Sequence, residues 1–310
     1  MQIYNIKTQP LIYQKENKNF YQIKPSCDYI SFGNKINFLE LPKETIFKRL
    51  TKVLQNQNNF LGAGSEAIVY DIPGTNYCFR IPYLDTEGYI LANWKSNFST
   101  DIIEKEKINH IVANLGQGAS IMNKIEGNPI SFVNKDHKCI LDFPSKSYGT
   151  IIKQVLKARE NNLVFDCSCG NIIINPQNKT ITAIDFNNPM RKRELQFNIL
   201  NNLHLTLTMN FNEKECIDCA HKMLTAVIND IGKNIDANIV KCSDFLSYLE
   251  NISPNLDKTL SKKLIDKFKE LELLDYSIKR GIDHKSEFNK LVEDIKIILK
   301  NNQLIKKETE

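Results

Sequence analysis

Leu163-Val164-Phe165-Asp166-Cys167-Ser168-Cys169-Gly170-Asn171-Ile172-Ile173-Ile174-Asn175 is the stretch from which the fold of this 310-residue chain is read. An apolar triplet runs into a polar loop, and the loop runs into a β-branched segment. That pattern predicts a short strand, a tight loop at 166–170 and a strand at 171–175. Pro176–Lys179 reads as a turn and Thr180–Asp185 as the returning strand, which closes on Ala183-Ile184-Asp185-Phe186. The hairpin thus delivers a second carboxylate, Asp185, toward the loop carrying Asp166 and Asn171. Either signal alone is weak. An Asp and an Asn five residues apart arise often by chance, and an Asp ending a strand is commonly a turn residue.

A third element upstream gives the pair its meaning. Gly62-Ala63-Gly64-Ser65-Glu66-Ala67-Ile68-Val69-Tyr70 fits G-x-G-x-x-G/A-x-V between two predicted strands, 59–61 and 67–72. A phosphate needs close backbone approach and exposed N–H groups, which glycines allow, and the following Val can roof an adenine. A plain glycine turn would look the same. Pro73-Gly74-Thr75-Asn76 predicts a hairpin into a third strand at 77–81. In this order the three elements suit one site, able to take a hydroxyl proton and to hold Mg2+ against ATP phosphates.

These residues resemble the protein-kinase-like superfamily over residues 60–187. The resemblance implies an α+β, two-lobed fold with a small antiparallel-sheet N-lobe, a mostly helical C-lobe and a short activation segment. It implies Asp166 as the catalytic Asp, and Asn171 and Asp185 as metal ligands. Gly62, Gly64, Ser65 and Val69 would cover the nucleotide, and Ile125 and Glu126, within 125–128, would form the hinge that meets adenine. Arg80, in Cys78-Phe79-Arg80, stands where the family has a Lys, and an Arg is bulkier and forked. Its partner is expected to be Glu104. Ser99-Thr100-Asp101 predicts the cap of a helix to about Asn114, and Glu104 shares the stripe of Ile108, Ile111, Val112 and Leu115 while Glu106 does not. The chain departs from the family elsewhere: Val164-Phe165 replaces His-Arg, Asp185-Phe186-Asn187 replaces Asp-Phe-Gly, Ser168 replaces a Lys, and no Ala-Pro-Glu follows. The hinge phrase Lys124–Ile130 and the Gly170-Asn171 ending resemble two branches of the superfamily. One is the compact kinase effectors of bacterial type III secretion systems, the other the aminoglycoside/choline-kinase-like enzymes.

The flanks and the composition set the remaining expectations. Pro42 with Ile46, Leu50, Val53 and Leu54 predicts an amphipathic helix to Gln55. Residues 1–58 are read as an N-terminal extension containing it, 59–128 as the N-lobe, and 129–310 as a helical C-lobe with a C-terminal extension. Leu260, Leu264, Phe268 and Leu271 predict a helix ending near Gly281. A net charge of +5 is mild and calls for no nucleic acid. The basic runs Arg191–Arg193 and Lys306-Lys307 read as solvated surface. No stretch reaches the ~20 apolar residues of a membrane span. Eight cysteines are too sparse for a disulfide scaffold, and no signal-peptide pattern opens the sequence, so reduced thiols are expected. Cys216-x-x-Cys219 with His221 lies on a predicted helix at 213–228, where core packing explains the thiols better than a metal. The abundant Asn, Lys and Ile read as codon bias of an AT-rich genome. The expectation is an ATP- and Mg2+-dependent Ser/Thr protein kinase, monomeric, cytoplasmic or delivered into a host cell, with a protein substrate. A small-molecule kinase of the aminoglycoside/choline-kinase-like type, and a pseudokinase binding module or other nucleotidyl transferase, are the alternatives.

Overall fold

The computed structural model describes residues 37–64, 67–83, 90–130, 136–189, 198–231 and 240–305, and two hydrophobic cores organise them. Tyr29–Phe32, Ser65, Arg191–Arg193 and Lys306-Lys307 lie outside the described residues. The first core belongs to a five-stranded antiparallel sheet: β1 (Phe60–Ala63), β2 (Ala67–Asp71), β3 (Tyr77–Pro82), β4 (Ile111–Gly116) and β5 (Ala119–Asn123), in the order β1-β2-β3-β5-β4. The strands bearing Gly62, Val69 and Arg80 are neighbours, as expected. Thr75 closes the hairpin between β2 and β3 by donating its hydroxyl to Ile72 O at 2.7 Å.

Helix α1 (Lys43–Gln55) starts right after Pro42, where the missing amide N–H costs nothing. Its stripe of Ile46, Phe47, Leu50 and Val53 is buried in the same core as Ile72, Phe79, Leu115 and Ile121 of the sheet region. The helix expected inside an N-terminal extension is therefore a layer of the sheet domain, and the boundary read at residue 58 cuts through one core.

The long helix predicted for 99–114 does not form. In its place stand the short α3 (Glu104–Ile108) and strand β4, preceded by a helix, α2 (Ile90–Asn97). His110 takes a left-handed backbone, φ 62°, which ends the helix and turns the chain into the sheet. Ile111, Val112 and Leu115 fit a helical stripe, but Ala113 and Leu115 are the buried pair at the strand period of two. Ser99 caps nothing helical; it makes a backbone pair with Asn114 at 3.0 and 2.8 Å, extending the edge of β4. α2, which the sequence pattern did not suggest, carries the fully buried Trp94 edge-on to Phe79, ring centroids 5.1 Å apart.

The second core is mostly helical. It is built on α4 (Ser145–Glu160), α5 (Ile199–Leu207), α6 (Glu213–Ile231), α7 (Cys242–Ile252), α8 (Lys258–Lys279) and α9 (Lys285–Asn301). Asp257 caps α8 by accepting from Thr259 N and Leu260 N, both at 3.0 Å, and Gly281 follows the end of that helix with φ 87°. Two small antiparallel ribbons sit beside these helices. One joins β6 (Asn128–Pro129), β8 (Ile172–Asn175) and β9 (Thr180–Ala183); the other pairs β7 (Val164–Phe165) with β10 (Phe186–Asn187). The architecture is α+β, a small antiparallel sheet N-terminal to a helical part. Among the described residues no helix is long and apolar enough to cross a membrane.

His204 on α5 gives this second core a pH dependence. It is buried, donates Nε2–H to Cys216 O at 2.9 Å, and lies edge-on to Phe245 and Tyr248. Its Nδ1 is buried and meets no hydrogen-bond partner among the described residues. Burial holds the imidazole below its usual range, against the opposing pull of the Cys216 carbonyl. The unfolded chain therefore binds this proton more readily than the folded one. Stability is complete above about pH 6.5 and falls as the pH drops from there toward the depressed folded value, by at most about 1.4 kcal/mol per unit. Thermal melts between pH 7.5 and 5.5 are expected to show this slope, and His204→Gln, which can still donate to Cys216 O, is expected to flatten it.

Candidate functional site

The register of the main sheet aligns the residues expected to meet a nucleotide. Gly62 pairs with Val69, Val69 with Arg80, and Arg80 with Ser120. Directly opposed residues project from the same face, so Gly62, Val69 and Arg80 form one row across three strands. Among the described residues a Cβ added at Gly62 meets nothing within 4 Å, and one at Gly64 only Ala67 O at 4.0 Å. Gly64 N donates to Ala67 O at 2.9 Å and keeps the turn tight. Arg80 donates Nη1–H to Gly118 O at 3.0 Å. Gly118 precedes β5 at the same end of the sheet as the glycine turn, because β1, β3 and β5 share that end in the register.

The expected Arg80–Glu104 pair does not form. Glu104 sits in the first turn of α3, exposed, with Lys157 of α4 and Lys107, the latter at 3.8 Å, as its cationic partners. The Lys157 ammonium holds its carboxyl below the usual carboxylate range. The physical reason is the broken helix: with only five residues in α3, the stripe that would have aimed Glu104 at the sheet does not exist. Glu106 is the inward residue, accepting from Asn114 Nδ2 at 2.6 Å and from Ile103 N at 3.0 Å.

Ile125 and Glu126 lie in the short connector from β5 to β6. Lys124 anchors its start, with backbone N donating to Asn76 O at 2.9 Å and Nζ to Thr75 O at 2.7 Å beside an ion pair with Asp71. Gly127 anchors its end. It has φ 129°, and a Cβ there would fall 2.4 Å from Ile174 O and 2.7 Å from Ile174 C.

The two ribbons bring the remaining residues together. In the β7–β10 ribbon Phe165 pairs with Phe186, so the next residue of one strand, Asp166, and the preceding residue of the other, Asp185, emerge at the same end. Both are exposed. Asn171 donates Nδ2–H to Asp166 O at 3.2 Å and reaches the Asp166 carboxylate at 3.4 Å. Among the described residues Oδ1, a hard oxygen, takes up no hydrogen bond and suits a cation. Ile184 N donates to Asn171 O at 2.9 Å, tying the residue before Asp185 to the same loop. Asp185 itself has φ 65°. A carboxylate and a carboxamide oxygen fit Mg2+, which binds through one or two protein oxygens plus phosphates and water.

Support for this loop comes from residues that the motif did not announce. Thr206 of α5 donates to Cys167 O at 2.6 Å. Asn109 exchanges two hydrogen bonds with Phe186, both at 2.8 Å. Gln154 of α4 does the same with Ala183, accepting from its N at 3.0 Å and donating to its O at 2.6 Å. Neither Asn109, which lay inside the helix expected to run to about Asn114, nor Gln154 carried a signal in the sequence. Burial pushes the Cys167 thiol up to about 12, and the neighbouring Asp166 carboxylate adds to the rise. Farther away, Cys219 is buried within α6 and His221 has its Nε2 2.8 Å from Leu299 O.

No protein-family model matches the chain, and no curated protein sequence matches it.

Proposed function

We propose that the chain is an ATP- and Mg2+-dependent phosphotransferase of kinase-like type, acting on a hydroxyl of a protein. The observation that carries this reading is the convergence of Asp166, Asn171 and Asp185 at the joined ends of two ribbons. On it, Asp166 accepts the proton of the attacking hydroxyl and orients the oxygen. Asn171 Oδ1 and the Asp185 carboxylate hold Mg2+, which neutralises charge on the phosphates when bound. The backbone N–H groups around Gly62 and Gly64 and the Arg80 guanidinium cradle those phosphates. Val69, on the same row, covers the base, and the connector at Ile125 and Glu126 offers it backbone groups. Ser65 belongs to the same reading.

A second reading, a nucleotide-binding module without transfer, draws on one observation. Arg80 spends a donor on Gly118 O while Glu104 is engaged by Lys157. One pair of variants tests nucleotide binding. Gly62→Ala and Gly64→Ala add a methyl group that comes no closer than 4.0 Å to any described residue, so melting temperatures should stay within about 1 °C, as for small changes at open surface sites. ATP affinity should fall by about tenfold or more, because a bound phosphate would occupy that space. Unchanged affinity in both variants removes the glycine turn from the site. Labelled ATP, Mg2+ and cell lysate then separate transfer from binding alone.

A further inference from the structure

Strand β9 stops at Ala183 and β10 starts at Phe186, so Ile184 and Asp185 cross between two ribbons outside either ladder. Asp185 crosses in a left-handed conformation, which the Cβ of any L-residue disfavours. Such a conformation persists only where its surroundings over-determine it. On the C-terminal side, Phe186 N donates to Asn109 Oδ1 and Asn109 Nδ2 donates to Phe186 O. On the N-terminal side, Ala183 N donates to Gln154 Oε1 and Gln154 Nε2 donates to Ala183 O. Each carboxamide thus acts as a one-residue strand, satisfying both backbone groups of its target. His110 Nε2 lies 3.1 Å from Gln154 Nε2 and 3.3 Å from Ala183 O, joining the two holds at one corner. Asn109 follows α3, which leads into the sheet domain, whereas Gln154 belongs to the helical part.

We propose that Asn109 and Gln154 are positioning residues that grip the two neighbours of Ile184-Asp185 and so fix the Asp185 carboxylate for the divalent cation of a bound nucleotide. The metal role rests on the phosphotransferase reading above; the grip itself does not. Two isolated substitutions, Asn109→Ala and the near-isosteric Gln154→Met, lie on different elements, so failure of one to fold leaves the other informative. Hydrogen exchange of the free protein reads the grip directly, since the Ala183 and Phe186 N–H groups have side-chain acceptors. Faster exchange confined to 183–186 is expected in each variant. Titration with ATP, with and without MgCl2, reads the consequence. Mg2+-dependent ATP binding is expected to weaken about tenfold, the low end for groups that orient a metal ligand, while Mg2+-free ATP binding stays unchanged. A merely structural role would weaken both alike. Unchanged exchange at 183–186 overturns the grip. Faster exchange with wild-type Mg2+ dependence overturns the metal role. A wild-type protein whose ATP binding ignores Mg2+ overturns the phosphotransferase reading and the metal role with it, and the exchange result still decides the grip.

Discussion

Asp166→Ala is expected to lower phosphoryl transfer by about 10²- to 10⁴-fold, the range for removing a positioned general base, while leaving the melting temperature nearly unchanged. The two halves of that expectation come from the same geometry. Asp166 is exposed at a ribbon end, and the interaction made by its carboxylate with Asn171 is long, 3.4 Å. Asn171 keeps a second bond to the Asp166 backbone oxygen, which survives truncation of the side chain. Little folding energy is therefore lost. The reaction would lose the group that receives the hydroxyl proton. Single-turnover transfer to a labelled protein substrate, beside a thermal melt, checks both. A fall in transfer matched by a fall in stability would point to a structural Asp instead, and undiminished transfer would remove Asp166 from the chemistry.

Gly127→Ala is expected to produce the largest loss of stability among single substitutions in the connector. The added Cβ would lie 2.4 Å from a backbone oxygen and 2.7 Å from a backbone carbon of Ile174. Neither can rotate away as the end of a side chain could. Ile174 also pairs with Asn128 and Ile181, so displacing it disturbs β6, β8 and β9 together. Overpacking of this kind costs about 3 kcal/mol, with left-handed strain added. The melting temperature should drop by about 6 to 12 °C on the scale for large domains. Gly170→Ala is the internal control, since a Cβ there meets nothing within 4 Å among the described residues. Equal melting temperatures for the two variants would show that the close approach at Gly127 relaxes freely.

Local signals in the sequence served well where neighbouring residues decide the outcome. The β-branched run after Gly170, the turns at Pro73–Asn76 and Pro176–Lys179, and the start of α1 after Pro42 all stand in the structure. The segment 99–114 failed because its apolar spacing satisfies two periods. A left-handed His110 and a partner strand, β5, selected the strand over the helix. Both are long-range or backbone facts that side-chain spacing does not carry. Glu104 was misplaced for the same reason, as its role depended on that helix. The site showed the opposite balance. That Asp166, Asn171 and Asp185 come close together was legible because one loop and one hairpin join them in the chain. Asn109 and Gln154 act across 77 and 29 residues of chain. No motif announces such partners.

The place of α1 bears on how the molecule is divided. Ile46, Phe47, Leu50 and Val53 contribute roughly 6 to 12 kcal/mol at about 1.5–3 kcal/mol per buried side chain. That sum is comparable with the entire net stability of an ordinary domain, about 5–15 kcal/mol. A polypeptide begun at Phe60, where the motif-bearing strands start, would lack this helix and open the core that it shares with Ile72, Phe79 and Ile121. The autonomous folding unit starts no later than Phe38, whose ring is buried in the same layer. Fusions, split reporters and trimmed versions for crystallisation belong upstream of that residue.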